Sequence, residues 1–128
     1  MIPNDLRYSR EHEWARVEGN RVTVGITDFA QHELGDVVFV ELPHPGDEVK
    51  AGEPMATVES VKSVSDVYAP VSGKVVAVND VLVNEPEKVN DAPYSDGWMV
   101  VIEMSNPGEL DDLLDAAAYG KLVEEGGH

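Results

Sequence analysis

The chain has 128 residues, enough for one ordinary domain and too few for two independent hydrophobic cores. Its 25 acidic and 9 basic residues give a net charge of -16, which disfavours nucleic acid and anionic membranes as partners and favours proteins. The absence of cysteine excludes disulfides, iron-sulfur clusters and catalysis by a protein thiol. The N-terminus has no apolar run of the length that a signal peptide needs, so we expect a cytoplasmic protein.

Short runs of β-branched residues dominate residues 13–104 and predict a small β sandwich. Polar and apolar residues alternate over residues 21–26, after a turn that we expect to place Gly19 and Asn20 at positive φ. The continuous apolar run at residues 37–42 predicts a buried strand. Four further strands are predicted, at residues 54–59, 65–69, 74–79 and 98–104.

Two segments are predicted to be helical. Thr27 is a candidate N-cap and Gly35 a candidate C-terminal glycine, so a short helix should cap one end of the sandwich. A second helical segment, at about residues 107–125, starts at Pro107. It carries an apolar stripe that we expect to dock on the β core, with Gly120 as an interruption and residues 126–128 frayed; the stripe consists of Leu110, Leu113, Leu114 and Ala117.

Motifs for enzymatic chemistry are missing. Ser72 lies in Ala-Pro-Val-Ser-Gly rather than in G-x-S-x-G, and no glycine-rich phosphate loop is present. The four histidines have no metal-ligand spacing, so no metal site is expected; they are His12, His32, His44 and His128.

One lysine differs from the rest in its surroundings. Lys62 is the only basic residue between Lys50 and Lys74, and it separates two strand-like runs. At the tip of a hairpin its ammonium group would project into water, as it does for most lysines that have no function. The residues around Lys62 therefore decide its interpretation.

Those residues resemble the lipoyl-attachment region of the glycine cleavage H-protein family. The resemblance rests on Glu59-Ser60-Val61-Lys62-Ser63, followed by Ser65-Asp66 and by Ala-Pro-Val-Ser-Gly at residues 69–73. Biotin carriers typically have Met on both sides of the modified lysine, and acyltransferase lipoyl domains have Asp-Lys-Ala. The similarity extends over residues 5–123, through the motifs at residues 12–14, 24–28, 34–43, 89–94 and 97–98.

This resemblance implies a single lipoyl-carrier domain over residues 1–128. Its fold would be a mainly β barrel-sandwich hybrid of the lipoyl/biotinyl type, with a short capping helix and C-terminal helices. Lipoate would be attached to Lys62 through an amide, and the carrier itself would not be an enzyme. The attached arm would take the aminomethyl group of glycine from a pyridoxal-phosphate-dependent glycine decarboxylase to a tetrahydrofolate-dependent aminomethyltransferase, and an FAD-dependent dihydrolipoyl dehydrogenase would reoxidise it.

The resemblance also assigns roles to residues near Lys62. Glu13 and Asp66 would hold the protonated amine of the aminomethyl-lipoyl arm in a cleft. At residue 11 the family often has a small hydroxyl residue, whereas this chain has Glu11, another acid. A lipoylating enzyme would recognise the attachment turn around Lys62, which comprises Glu59, Ser60, Val61 and Ser63.

Three further residues are interpreted as structural. We expect Gly73 to let the chain leave the second strand of the hairpin through a tight turn. Trp14 and Trp98 are expected to pack in the core, because large aromatic side chains dominate core energetics.

The strong net charge favours a monomer.

Two other functions remain open at this stage. An H-like carrier could relay lipoate to another lipoate-dependent pathway, in which case it would lack neighbouring genes for the decarboxylase and the aminomethyltransferase. Alternatively, an unmodified acidic β-sandwich module could dock a basic partner, and Lys62 would then stay a free amine even in the presence of a lipoylating enzyme.

Overall fold

The computed structural model describes residues 2–126, which form two antiparallel sheets with short helices around them. The six-stranded sheet has the order β1-β2-β3-β9-β8-β5 and the three-stranded sheet the order β4-β6-β7. The strands are β1 (Arg7–Tyr8), β2 (Glu13–Glu18), β3 (Arg21–Ile26), β4 (Val37–Glu41), β5 (Glu48–Val49), β6 (Pro54–Ser60), β7 (Val64–Tyr68), β8 (Gly73–Val78) and β9 (Val100–Met104). The helices are α1 (Asp28–Leu34), α2 (Val81–Asn84), α3 (Lys88–Asp91), a 3-10 helix (Pro107–Asp112) and α4 (Ala116–Glu124).

The main core lies between the inner faces of the two sheets. It is built from alternate residues of each strand, because successive side chains of a strand point to opposite faces. Val22 and Ile102 are examples from the larger sheet, and Val58 and Val67 from the smaller one, all at most 2% exposed. The predicted mainly β barrel-sandwich hybrid is confirmed, including its short capping helix.

The capping helix has the predicted boundaries. Thr27 accepts a hydrogen bond from the backbone N–H of Ala30 at 3.2 Å, and Gly35 ends α1 with a φ of 80°. The hairpin between β2 and β3 also forms as predicted, with Gly19 at a φ of 63°. The prediction for Asn20 was wrong: its φ is not positive, and its Nδ2 donates to the carbonyl oxygen of Met104 at 3.1 Å.

The strand predicted at residues 37–42 forms, but it is not buried throughout. β4 pairs with β6 alone, so it is an edge of the three-stranded sheet with one face towards solvent. A register shift between Val37 and Phe39 leaves both Val38 and Phe39 about half exposed, whereas Val37 and Val40 point inward. A continuous apolar run therefore did not indicate burial on both faces.

The C-terminal segment forms two helices rather than one continuous stripe. The 3-10 helix ends at Asp112, and Leu114 then forms an isolated antiparallel bridge with Tyr8, with hydrogen bonds of 2.8 and 2.7 Å. This pairing with β1 straightens the chain, so the predicted helical spacing of the leucines was wrong. Gly120 lies inside α4 instead of interrupting it, and residues 127–128, predicted to be frayed, lie outside the described part.

Gly73 is required for close packing of two strands rather than for a turn. It is the first residue of β8 and pairs with Met104 of β9. A Cβ atom there would overlap the carbonyl oxygen of Glu103, so the tight turn predicted for this glycine was wrong.

A second, smaller cluster joins the N-terminal strands to α4. Trp14 is fully buried in it with Tyr8 and Tyr119, and its Nε1 donates to the carbonyl oxygen of Pro93 at 2.8 Å. Trp98 is only partly buried and packs against the same cluster. The core role predicted for Trp14 is thus confirmed, and that of Trp98 holds in part.

Candidate functional site

The turn between β6 and β7 is held by one buried serine side chain. The hydroxyl of Ser60 accepts hydrogen bonds from the backbone N–H groups of Lys62 and Ser63, at 3.2 and 3.1 Å. The backbone N–H of Ser60 donates to the carbonyl oxygen of Ser63 at 2.8 Å and closes the hairpin. Ser60 is 6% exposed, whereas Val61, Lys62 and Ser63 are exposed. The sequence around Lys62 therefore forms a fixed turn that leaves the lysine side chain in solvent.

The loop between α1 and β4 is hydrogen-bonded to this turn. Val61 donates its backbone N–H to the carbonyl oxygen of Asp36 at 3.0 Å. Asn90 of α3 fixes the same loop: its Oδ1 accepts from the N–H of Val37, and its Nδ2 donates to the carbonyl oxygen of Gly35, each at 2.9 Å. The Lys62 side chain passes over Gly35, where a Cβ atom would lie 3.3 Å from its Cε.

A cleft of about 360 Å³ opens beside the turn, between β7, the start of β2 and helix α1. Its lining includes Ser63, the residue after Lys62. The cleft combines apolar and acidic side chains. The apolar ones are Ile26, Phe29, Ala30, Leu34, Val58 and Val67, and the acidic ones are Glu11, Glu13, Glu33 and Asp66.

Glu13 is the most deeply buried of these acids, at 1% exposure. The hydroxyl of Ser9 donates to its Oε1, and the backbone N–H of Tyr68 donates to its Oε2 at 3.1 Å. Burial raises the pKa of Glu13 to about 7, although these two hydrogen bonds oppose part of the rise. Its carboxyl group is therefore divided between neutral and charged forms near neutral pH.

A tyrosine of the C-terminal helix fixes the wall of the cleft next to Glu13. The hydroxyl of Tyr119 lies 2.7 Å from Nδ1 of His12 and 2.7 Å from Oγ1 of Thr27, both within hydrogen-bonding distance. His12 has a φ of 71°, which is uncommon for a residue with a side chain. Burial raises the pKa of Tyr119 to about 12, so its hydroxyl keeps the proton and can donate.

Comparison with known proteins places this arrangement in a family. The family model for the glycine cleavage H-protein matches residues 6–126. The chain belongs to the glycine cleavage H-protein family. The glycine cleavage system H protein of Symbiobacterium thermophilum is 61% identical over 125 residues, covering 98% of both chains. That of Anaeromyxobacter sp. strain K is 60% identical over 124 residues, covering 97% of both.

A solved structure supports the same assignment at the level of the fold. The crystal structure of a glycine cleavage system H protein from Mycobacterium marinum superposes with a TM-score of 0.89 at 41% identity. The match covers 96% of this chain and 99% of that one. The family resemblance read from the residues around Lys62 is therefore confirmed.

In this H-protein family member, the residues singled out by sequence lie around one surface region. Glu13 and Asp66, which are far apart in sequence, line the same cleft as Ser63. Ser60 holds the turn, and Val61 and Lys62 are exposed on it. Glu59 lies on β6 opposite Val64 and is partly exposed on the outer face rather than among the residues that line the cleft.

Sequence reasoning missed several residues of the cleft. Phe29 and Glu33 line it from α1, and His12 lines it from the turn before β2. The placement of Phe29 and Glu33 depends on the packing of α1 against distant parts of the chain, such as α3, for which the sequence carries no local signal. The only signal in the sequence is their spacing of four residues, which places Phe29 and Glu33 on the same face of a helix.

Among residues 2–126, which the structure describes, no three His, Asp or Glu side chains lie close enough together to hold a metal ion. None of the helices in this range is long and apolar enough to cross a membrane.

We predict that Tyr119→Phe lowers the free energy of unfolding by about 1 to 2 kcal/mol, because buried Thr27 and half-buried His12 lose a shared hydrogen-bonding partner. Urea denaturation measures this effect. Tyr68→Phe is the matched control, since no hydrogen bond to the Tyr68 hydroxyl occurs among residues 2–126, and it should change stability by less than about 0.5 kcal/mol. Equal losses in both variants would contradict a bridging role for Tyr119.

We also predict a pH-dependent stability that originates at Glu13. Its pKa in the folded protein, about 7, lies above the ordinary value of 4.5, so the folded state binds the proton more tightly than the unfolded chain. The contribution of Glu13 is fully present below pH 4.5 and is lost as the pH rises through 7, by an amount on the order of a few kcal/mol.

The Glu13→Gln variant isolates this contribution, because the other carboxyl groups are common to both proteins. The difference in unfolding free energy between the two proteins should change between pH 4.5 and 7, with the natural protein losing more stability over this range. Urea denaturation at several pH values measures it. A difference that stays constant with pH would show that the pKa of Glu13 is not raised.

Proposed function

We propose that this protein is the lipoyl-carrying shuttle of the glycine cleavage system, with lipoate joined to Nζ of Lys62 through an amide. The observation that carries the proposal is the exposed Lys62 on a fixed turn, next to a cleft that contains the buried acid Glu13. Membership in the glycine cleavage H-protein family supports the same conclusion.

The residues around Lys62 fit a lipoyl group. The Lys62 amine is exposed, as an amide-forming enzyme requires, and Ser63 connects it directly to the cleft. Apolar side chains such as Phe29 and Ile26 suit the hydrocarbon and sulfur atoms of lipoate, which are poorly solvated by water. When attached, lipoate supplies the disulfide chemistry that accepts the aminomethyl group of glycine.

The acids of the cleft suit an amine as cargo. A protonated amine near Glu13 would favour the carboxylate form of Glu13 over the neutral form, since an opposite charge stabilises it. Asp66 supplies a second carboxyl group on the neighbouring wall. Glu11 occupies the place of the small hydroxyl residue that is frequent in the family and adds an acid there.

We propose four enzymes as partners: the three other components of the glycine cleavage system and a lipoylating enzyme. A pyridoxal-phosphate-dependent glycine decarboxylase would load the carrier, a tetrahydrofolate-dependent aminomethyltransferase would unload it, and an FAD-dependent dihydrolipoyl dehydrogenase would reoxidise it. The carrier itself contributes a tether and a cleft and catalyses none of these reactions. Its cytoplasmic location and its monomeric state stay predictions from the sequence.

The test is lipoylation in vitro. We expect the natural protein, incubated with lipoate, ATP and a lipoate-protein ligase, to gain one lipoyl group, located at Lys62 by peptide mass mapping. Lys62→Arg should gain none and keep its thermal unfolding midpoint, because the side chain is exposed and the charge is retained. The matched control Lys74→Arg, at an exposed lysine of β8, should be lipoylated like the natural protein.

Two outcomes would contradict the proposal. No mass gain with a ligase that modifies a known acceptor would favour the unmodified binding module. A lipoylated protein that supports no release of CO2 from glycine by glycine decarboxylase would instead favour a carrier of another lipoate-dependent pathway.

A further inference from the structure

A second cavity borders helix α1, next to the cleft. Its volume, about 370 Å³, nearly equals that of the cleft. The N-terminal segment, α1, the loop before β9 and α4 form its walls, and the lining residues outside α1 are Ile2, Tyr94, Tyr119 and Val123. These side chains are mostly apolar, and Lys62 does not border the cavity. The second cavity therefore has no role in the proposed function as described above.

The two cavities meet along one ridge of α1. Residues four apart share a face of a helix, and successive residues are rotated by about 100°, so α1 presents three adjacent pairs of side chains. The pair that lines only the second cavity, the pair that lines both and the pair that lines only the cleft are, in this order, Asp28 and His32, Phe29 and Glu33, and Ala30 and Leu34. The middle pair is thus the boundary between the cavities.

Phe29 closes this boundary. Glu33 is exposed, whereas Phe29 is half-buried and its ring packs against that of His12, with 4.8 Å between the ring centroids. The ring of Tyr119, which lines the second cavity, lies 5.6 Å from that of His12. The three rings form a partition from α1 to α4. Phe29 has no polar side-chain atom, so its ring can be removed without leaving a hydrogen bond unpaired.

Such a partition limits what the cleft can hold. Resting on the proposed function, the arm brings its amine into the cleft, where Glu13 and Asp66 lie. An amine that carries only hydrogen atoms needs no space beyond Phe29. A longer alkyl chain on the same nitrogen would need the space of the second cavity, and packed rings do not yield it without strain.

We propose that Phe29 determines the size of the cargo that the arm can bring into the cleft. Its ring closes the second cavity, so the cleft accepts an unsubstituted amine and excludes one that carries a long alkyl chain. Once the ring is removed, the second cavity receives that chain, because alkyl groups are favourably buried against side chains such as Ile2 and Val123. Phe29 is thus a specificity-determining residue of the proposed carrier.

The test uses the lipoylated full chain with two stable cargoes. The chain has no cysteine, so the thiols of the reduced arm are its sole thiols. A phosphine reduces the arm disulfide to two thiols and becomes a phosphine oxide, with its oxygen taken from water. One thiol then displaces bromide from 2-bromoethylamine or from its N-hexyl derivative, which forms a thioether and releases a proton to the buffer. The singly alkylated carrier is purified.

The rate at which the remaining thiol reacts with iodoacetamide, followed by intact mass, shows whether the arm lies in the cleft. A thiol inside the cleft is shielded, and the same sample unfolded in urea gives the rate of an exposed thiol. Phe29→Ala is compared with the matched control Phe39→Ala, because Phe39 is the other phenylalanine, is 50% exposed and lines neither cavity. The double variant Phe29→Ala/His32→Trp refills the second cavity from an exposed position.

We expect the aminoethyl arm to react about tenfold more slowly in the folded protein than in urea, in the natural chain and in every variant. The N-hexyl arm should show no shielding in the natural protein or in Phe39→Ala, and about tenfold shielding in Phe29→Ala, a ratio that one or two buried methylene groups supply. The double variant should again show none. Cargo selection of this kind would not change if Phe29 only stabilised the fold.

Other results would overturn the inference. Shielding of the N-hexyl arm in the natural protein would show that the partition does not limit the cargo. Its absence in Phe29→Ala, or its persistence in the double variant, would show that the second cavity does not receive the chain. An equal gain in Phe39→Ala, or loss of aminoethyl shielding in Phe29→Ala, would indicate a general loosening of the fold.

All of these results leave lipoylation of Lys62, and with it the proposed function, intact. An aminoethyl arm that is unshielded in the natural protein would overturn the cleft as the resting place of the cargo, and this inference with it. No lipoylation of the natural protein would overturn the carrier function itself.

Discussion

The candidate site depends on the hydrogen bonds that the Ser60 hydroxyl makes with the backbone of the turn. This hydroxyl is buried at the end of β6 and accepts from two successive backbone N–H groups of the turn, those of Lys62 and Ser63. Without these bonds neither N–H group of the three-residue connection, residues 61–63, would have a hydrogen-bond partner in the described part of the chain. These hydrogen bonds hold the backbone of the turn, while the Lys62 side chain passes over Gly35 and is exposed to solvent.

The site thus combines an exposed lysine with surroundings that are held by hydrogen bonds. The cleft beside the turn is built from three distant parts of the chain, and each is anchored by buried polar contacts. Ser9 and Tyr68 hold the Glu13 carboxyl group, and Tyr119 joins the start of β2 to the start of α1. The proposed carrier role would use both properties, because an attached arm must be accessible to partners and a cleft that receives it must keep its shape.

Local signals in the sequence predicted the fold well where the local structure depends on them. The capping helix was located by Thr27 and Gly35, which act on their own backbone neighbours. The failures involve distant partners: the exposure of Phe39 follows from the register shift in the pairing of β4 with β6, and the broken C-terminal helix follows from the bridge between Leu114 and Tyr8. For the candidate site, the resemblance identified Lys62, but the raised pKa of Glu13 depends on burial that composition does not show.

The most direct test of this account is the initial rate of lipoylation of Ser60→Ala compared with Ser63→Ala. The two variants lose the same hydroxyl group three residues apart, but in the described part of the chain only that of Ser60 is hydrogen-bonded to the turn. We expect the rate to be lower by about tenfold in Ser60→Ala and nearly unchanged in Ser63→Ala. Equal rates in the two variants would contradict the claim that the Ser60 hydroxyl presents Lys62 for modification.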